Sequence, residues 1–341
     1  MASNSSTNKF ASEIADRAVA EWPNTPTKQL ARMMIKKHKH VFPSLNAAMC
    51  AIRYRRGAMG KVNRERAGVS GVAATPPSIF SATNPLGLPE SSAKDHEPFI
   101  MDGVGRCLIL PDLHLPYHDL RALTVMLQDG VRNECSSVLI NGDLLDFHTL
   151  SRFVKDPGAR SFKDERTLAK QFLGRLRELF PKARIVFKEG NHDVRLQHFV
   201  MEKAPELYDE SILGLDVLLD LPKFGIEHVK DKREILLGKL YVLHGHELPR
   251  GMSAPVNPAR GAFLRAKVSV MVSHSHRTSE HTETPMDRSI VSAWSTGCGC
   301  FLRPQFEPNN SWNHGHAIVD VDSAGQFHVR NVRIHEGVML N

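Results

Sequence analysis

The sequence predicts a layered α/β domain preceded by a small basic helical module, and three observations carry that prediction. From about residue 100, strand-like and helical runs alternate as Val104–Pro111, Asp119–Arg132, Ser137–Asn141, Lys163–Phe180 and Arg184–Glu189, the rhythm of a sheet covered by helices. Five strand-like runs then end in metal-type side chains: Asp112-Leu113-His114, Gly142-Asp143, Gly190-Asn191-His192-Asp193, His244-Gly245-His246 and His274-Ser275-His276. Sheets of this kind gather their sites at the carboxyl ends of strands. Finally, residues 1–67 hold 13 Lys and Arg against 4 Asp and Glu, so the chain's net charge of +7 arises in its first fifth.

Taken in order, Phe10–Glu21 reads as a helix with Ile14, Ala18 and Val19 on one side, ended by Trp22-Pro23. Thr25-Pro26 has the form of an N-cap followed by proline at the first helical position, leading into Gln29–Lys37 with a stripe of Leu30, Met33 and Met34. Ser44 caps a third helix, Leu45–Arg56, whose last turn collects Arg53, Arg55 and Arg56 before Gly57. Three short helices, the last one basic, resemble a helix-turn-helix module over residues 1–67. The third helix, or the tail through Lys61, Arg64 and Arg66, then lies against nucleic-acid phosphates; a bland reading, arginines complementing a helix dipole, stands beside it. Residues 68–99 carry Pro76, Pro77, Pro85, Pro89 and Pro98 with little periodicity and read as a linker.

Residues 100–341 form the α/β domain. After the first three strands the rhythm loosens through Leu196–Leu221. Ile235–Leu243, Val268–Ser273, Ile290–Trp294, Ala317–Val321 and Phe327–Ile334 are strand-like again, with a hairpin turn at Ser323-Ala324-Gly325. With 41% hydrophobic and 24% charged residues the composition is that of a globular chain. The start Met1–Ser6 lacks the pattern of a signal peptide, and no apolar run approaches membrane-spanning length. Cys50, Cys107, Cys135, Cys298 and Cys300 are odd in number and scattered, which argues against a disulfide framework and for a reducing cytoplasm. Cys298-Gly299-Cys300 is too close-set for a zinc knuckle and reads as structural.

Hydrolysis of a phosphate ester at neutral pH requires neutralising the phosphoryl oxygens and making a strong nucleophile, and two divalent ions a few Å apart do both. Such a pair needs a bridging carboxylate with further oxygen and imidazole ligands, which the five blocks supply. Alone, each of Asp112, Asp143 and Asn191 is as readily a cap or turn residue. Together and in order, Asp-x-His, Gly-Asp-x-x-Asp, Gly-Asn-His-Asp, His-Gly and His-x-His over residues 104–278 resemble the calcineurin-like metallophosphoesterases. The resemblance implies an α/β/β/α sandwich with two divalent ions, manganese first, with iron, zinc or nickel also accepted.

Residue by residue, the resemblance gives Asp112, His114 and His276 to the first metal, makes Asp143 the bridge, and gives Asn191, His244 and His274 to the second. It further implies that a hydroxide between the ions attacks phosphorus in line while His192, oriented by Asp146, protonates the leaving group. His246 could exchange places with His244 by a one-block slip and is otherwise a candidate substrate contact; His244 fits the pattern better. Ser273 replaces the family's usual glycine. Phe147 stands where Ser/Thr protein phosphatases carry a phosphate-gripping arginine, which argues against that activity, while Arg152, Arg195 and Arg277 lie just past three motifs and could grip phosphate instead. The extension Asp146–Phe153 and the strand pair within Gly315–Ile334 are similar to phosphoesterases carried by bacteriophages and prophages. Gly190–Asp193 also matches repair nucleases of the SbcD type, without their separate capping domain. The reading that follows is a phosphodiesterase acting on DNA or another nucleic acid, recruited by residues 1–67. A small-molecule phosphatase or cyclic-nucleotide phosphodiesterase is the nearest alternative. A nucleic-acid-binding regulator with an idle enzyme domain is another, although every ligand type is retained.

Overall fold

Cys107 and Ile109 face one core and Leu108 and Leu110 another, which is the mark of a strand buried on both sides at the centre of a layered fold. The computed structural model describes residues 4–57, 88–89, 91–93, 96–101, 105–152, 154, 161–208, 210–249, 256–305 and 307–340. The chain divides into two compact units, 1–94 and 95–341.

In the second unit one sheet runs in the order β13 (Val338–Leu340), β12 (Phe327–His335), β11 (His314–Val321), β2 (Gly105–Leu110), β3 (Ser137–Asn141), β4 (Arg184–Lys188) and β5 (Ile226–Val229). From β2 to β5 neighbours are parallel, whereas β11 is antiparallel to both β2 and β12. The other sheet runs β1 (Phe99–Ile100), β6 (Ile235–Leu237), β7 (Leu240–Val242), β8 (Val270–Val272), β10 (Val291–Ser295) and β9 (Ser279–Glu283). Between the sheets, Ile109, Leu139 and Val186 join Leu237, Leu240, Val242 and Met271 in one core. The outer face of the first sheet is covered by α4 (Leu120–Arg132) and α5 (Phe162–Leu179) through Leu123, Met126, Ala169, Leu173 and Leu176. Helix α8 (Pro258–Ala266) covers the second sheet with Ala259, Ala262 and Phe263. Two shorter helices, α6 (Arg195–Lys203) and α7 (Leu215–Leu218), follow β4. The result is the α/β/β/α sandwich expected, with β2, β3 and β4 of one sheet and β7 and β8 of the other ending on the same motifs that the sequence singled out.

The first unit contains α1 (Asn4–Glu21), α2 (Thr27–Lys37) and α3 (Leu45–Arg55) around Ala15, Leu30, Ala31, Met34, Ala48 and Ile52. Ser44 Oγ accepts from Ala47 N at 3.1 Å, the expected cap. Helix α2 departs from expectation: Pro26, with ψ of 136°, is the cap residue rather than the first helical one, and makes no side-chain cap. The arginine cluster departs further. Arg56 donates to the carbonyls of Trp22, Pro23 and Thr25 at 3.2, 3.0 and 2.7 Å, and Arg55 pairs with Asp16 at 2.8 Å. These two side chains bind α3 to α1 and to the turn before α2, leaving Arg53 as the exposed member of the three. Lys61, Arg64 and Arg66 lie outside the described residues.

Other differences have local causes. Ile235–Leu243 is a hairpin, not one strand, because Gly238 (φ 60°) turns the chain and pairs Ile235 with Val242. Strand β1 starts at Phe99, the last residue of the expected linker. The sequence reading passed over β5, β9, β13 and α8. Among the described residues no helix is long and apolar enough to cross a membrane.

Candidate metal centre

The backbone at the strand ends is held in an uncommon conformation. Asp112 (φ 44°), His114 (47°), Asp143 (49°), His274 (61°) and His276 (55°) all adopt the left-handed region, which costs about 1–3 kcal/mol at each non-glycine residue and persists where surrounding contacts over-determine it. Those contacts are present. Asp112 accepts from His274 N at 3.2 and 3.1 Å, Asp143 Oδ1 from His192 N at 2.8 Å, and the Asp143 carbonyl from His114 N at 2.9 Å. The buried Asp193 carboxylate accepts from Gly190 N at 2.8 Å and Leu145 N at 3.0 Å, tying the ends of β3 and β4 together. Two glycines are required by close approach: a Cβ at Gly142 would collide with the His244 ring, and one at Gly190 with Asp143. Ser273, in contrast, does not have a positive φ. Its hydroxyl accepts from Asn141 Nδ2 at 2.8 Å and lies 3.0 Å from Thr296 Oγ1, so the departure from glycine is accommodated.

On this frame the residues expected as ligands converge. Nε2 of His114 lies 3.2 Å from Nε2 of His276 and 3.6 Å from Asp143 Oδ2. His276 Nε2 is 3.3 Å from Asp112 Oδ1. His244 Nε2 is 3.3 Å from Asp143 Oδ2, 4.0 Å from Asp112 Oδ1 and 3.1 Å from Asn191 Oδ1. The side chains of Asp143, His244 and His274 offer donor atoms within 4.8 Å of one another, as do those of His114, Asp143 and His192. Asp143 is common to both groups. His244 Nδ1 sits 2.9 Å from the Asn141 carbonyl, which orients the ring and leaves Nε2 facing the carboxylates. Carboxylate, amide oxygen and imidazole converging in this way form a donor set that suits divalent Mn, Fe, Zn or Ni.

The electrostatics agree. Burial alone raises the Asp143 carboxyl, but the neighbouring His244 and His192 pull it well below the carboxylate range. Burial lowers His244, yet Asp143 overrides it and takes the ring up to about 10. The carboxylate cage thus demands positive charge, which divalent cations supply.

At the flank, Asp146 serves two rings: its Oδ1 is 3.1 Å from Nδ1 of His114 and 3.1 Å from Nδ1 of His192. Arg195 donates through Nη1 to the Asp146 carbonyl at 2.7 Å and places Nη2 at 3.1 Å from His192 Nε2. Arg195 is therefore at the site. Arg152 is exposed, and Arg277 is half-buried one residue past His276. Among the described residues, His246 belongs to none of the groups of donor atoms that converge within 4.8 Å; its ring centroid is 5.3 Å from that of His244, and both its nitrogens are buried without a hydrogen-bond partner.

Two supporting groups escaped the sequence reading because their partners are remote along the chain. The first is a buried ion pair, Lys188 Nζ to Glu247 Oε1 at 2.7 Å, with side-chain exposures of 1% and 8%. Glu247 also accepts from His244 N at 3.1 Å and Gly245 N at 2.6 Å, so it pins the turn that carries His244. The second is Glu165 on α5, fully buried, which accepts from Phe147 N at 2.9 Å and holds the left-handed turn (φ 49°) just past Asp146. Burial pushes its pKa up from 4.5 to about 7. A carboxyl that binds its proton more tightly when folded penalises the fold once both states are ionised. Stability therefore falls as pH rises from 4.5 through about 7. Denaturant titrations of the Glu165→Gln variant should show it gaining on the parent by about 3 kcal/mol across that interval. A difference that stays constant with pH would contradict this role.

Residues 105–297 match the family described as calcineurin-like phosphoesterase. The chain is similar to the Gene 54 protein of Mycobacterium phage L5, 26% identical over 230 residues that cover 64% of this chain and 89% of the relative. It is also similar to the Gene 54 protein of Mycobacterium phage D29, 27% identical over 178 residues, covering 50% and 69%. Among solved structures, the Pseudomonas putida nuclease MPE aligns with 66% of this chain and 86% of its own at 17% identity and a TM-score of 0.29.

Proposed function

Since the chain belongs to the calcineurin-like phosphoesterase family and is a metal-dependent phosphoric ester hydrolase, we propose that its substrate is a phosphodiester in DNA or another nucleic acid. The observation that carries the reading is the convergence of Asp112, His114, Asp143, Asn191, His244, His274 and His276 beside His192, whose Nδ1 lies 3.1 Å from Asp146 Oδ1. Asp112, His114 and His276 would hold one cation, Asn191, His244 and His274 the other, and Asp143 both. When bound, such ions neutralise phosphoryl charge and lower the pKa of water.

The protein's own groups do the rest. Asp146 accepts from Nδ1 of His192 and fixes the ring so that Nε2 can deliver a proton to a departing alkoxide. Arg195 donates to the Asp146 carbonyl; its Nη2, 3.1 Å from His192 Nε2, can only donate there, so it gives up that place when Nε2 carries the proton. A diester carries one negative charge where a monoester carries two, and this site has a buried Phe147 in place of an additional phosphate-gripping arginine. That economy of positive charge suits the diester. The basic excess of residues 1–67 suits a polyanion.

With Mn²⁺ supplied, the parent protein should cleave single-stranded or duplex DNA as well as bis-p-nitrophenyl phosphate. His192→Ala should lower turnover on DNA by roughly 10²- to 10⁴-fold while its bound metal remains unchanged. Hydrolysis of the small diester with no action on any nucleic acid would overturn the substrate class, and parental turnover in His192→Ala would overturn the acid.

A further inference from the structure

Beyond the cage, a row of rings continues toward the rim. His192 and His114 have centroids 4.4 Å apart, His114 and His276 5.0 Å, and His276 and Trp312 4.4 Å, each pair edge to face. Trp312 thus stands beside the candidate ligand His276, at the opposite end of the row from His192. Trp312 is half-buried.

The loop that carries the indole is tied down. Trp312 N donates to Asn310 Oδ1 at 2.9 Å. The next residue, Asn313, donates from its backbone to the His276 carbonyl at 2.8 Å, accepts from Thr278 N at 2.9 Å and donates to Thr278 Oγ1 at 2.8 Å. These bonds lock the loop to the segment that carries His276. Asn310 closes the loop from the other side by donating to the Leu302 carbonyl at 2.6 Å. At its start, Phe301 N donates to the Tyr117 carbonyl at 2.7 Å, three residues past His114, and the Phe301 side chain is 54% exposed. Arg303 on the same loop is exposed, and Arg277 follows His276 directly.

Aromatic residues on a tied-down loop beside a reaction centre, Trp312 half-buried and Phe301 exposed, with Arg303 and Arg277 close by in sequence, are what a flexible single strand recognises: bases stack on the rings and the backbone follows the cations. We propose that Trp312, assisted by Phe301, is a stacking platform for an unpaired nucleobase next to the scissile phosphate, and so selects single-stranded nucleic acid. This subsite rests on the nucleic-acid reading above. The base must be unpaired and unstacked, because a neighbour in a duplex already covers its face.

The test uses the full chain with Mn²⁺ and two oligomers of equal length: a single-stranded oligothymidylate, and the same strand with tetrahydrofuran abasic residues flanking each phosphate. The parent should prefer the base-bearing strand by about tenfold to a hundredfold in kcat/KM. In Trp312→Ala that ratio should fall to near one, and in Trp312→Phe it should stay within about threefold of the parent's. Should Trp312→Ala fail to fold, Trp312→Leu, which removes the π face while keeping much of the volume, carries the comparison. A parent ratio near one, or a Trp312→Ala or Trp312→Leu ratio equal to the parent's, overturns the platform alone. A parent that cleaves neither oligomer while hydrolysing bis-p-nitrophenyl phosphate overturns the nucleic-acid reading and the platform with it.

Discussion

Asp143→Ala should lower turnover on the order of a thousandfold and strip metal from the protein as well. The carboxylate is 1% exposed, and it faces three imidazoles, with Oδ2 at 3.6 Å from His114, 3.3 Å from His244 and 4.0 Å from His192. If Asp143 is shared between two cations, its loss weakens both positions and removes several kcal/mol of charge stabilisation. It also leaves the imidazoles without the charge that raises His244 to about 10. Metal analysis alongside steady-state kinetics separates this outcome from that at His192, where turnover falls and metal stays. Parental metal content in Asp143→Ala would refute the shared role.

Lys188→Met should destabilise the domain by about 3–5 kcal/mol, because removing one partner strands a buried carboxylate without its counter-charge. Glu247 keeps its two backbone donors, from His244 and Gly245, but these do not replace a cation held at 2.7 Å. For a unit of this size the thermal midpoint should drop by about 10 °C. The double variant Lys188→Met with Glu247→Gln should recover part of that loss, since neither charge is then left alone. A midpoint within about 2 °C of the parent's would show that Glu247 is satisfied by its two backbone donors alone and that the ion pair contributes little.

The residues that converge were legible because the chemistry proposed for them demands specific residue types and the fold demands that they follow strands. Asp112, Asp143 and Asn191 each come within four residues of the end of an apolar run, and that order is visible without coordinates. Lys188 was not legible, since a lysine closing the run Ile185-Val186-Phe187 gives no hint that Glu247 will meet it. Trp312 was missed for the same reason: only the loop that returns Asn313 to the His276 carbonyl brings it to the site. Among the elements, β9 is the polar edge strand Ser-Glu-His-Thr-Glu, which has no apolar alternation to detect. The two-residue β1 owes its existence to pairing with β6 rather than to its own sequence. Helix α8 did carry readable signals, an Asn257 cap whose Oδ1 accepts from Arg260 N at 3.0 Å and proline at the first turn. The arginines of α3 show the converse. Their clustering suggested a phosphate-binding face, and Arg55 and Arg56 are instead spent on internal bonds.

The most direct measurement is a calorimetric titration of the metal-free protein with Mn²⁺, run in parallel on Asp143→Ala. Convergence of the five strand ends predicts two ions per chain for the parent and a loss of both high-affinity sites in the variant. Binding of fewer than two ions by the parent, or the same stoichiometry and affinity in both proteins, would contradict it.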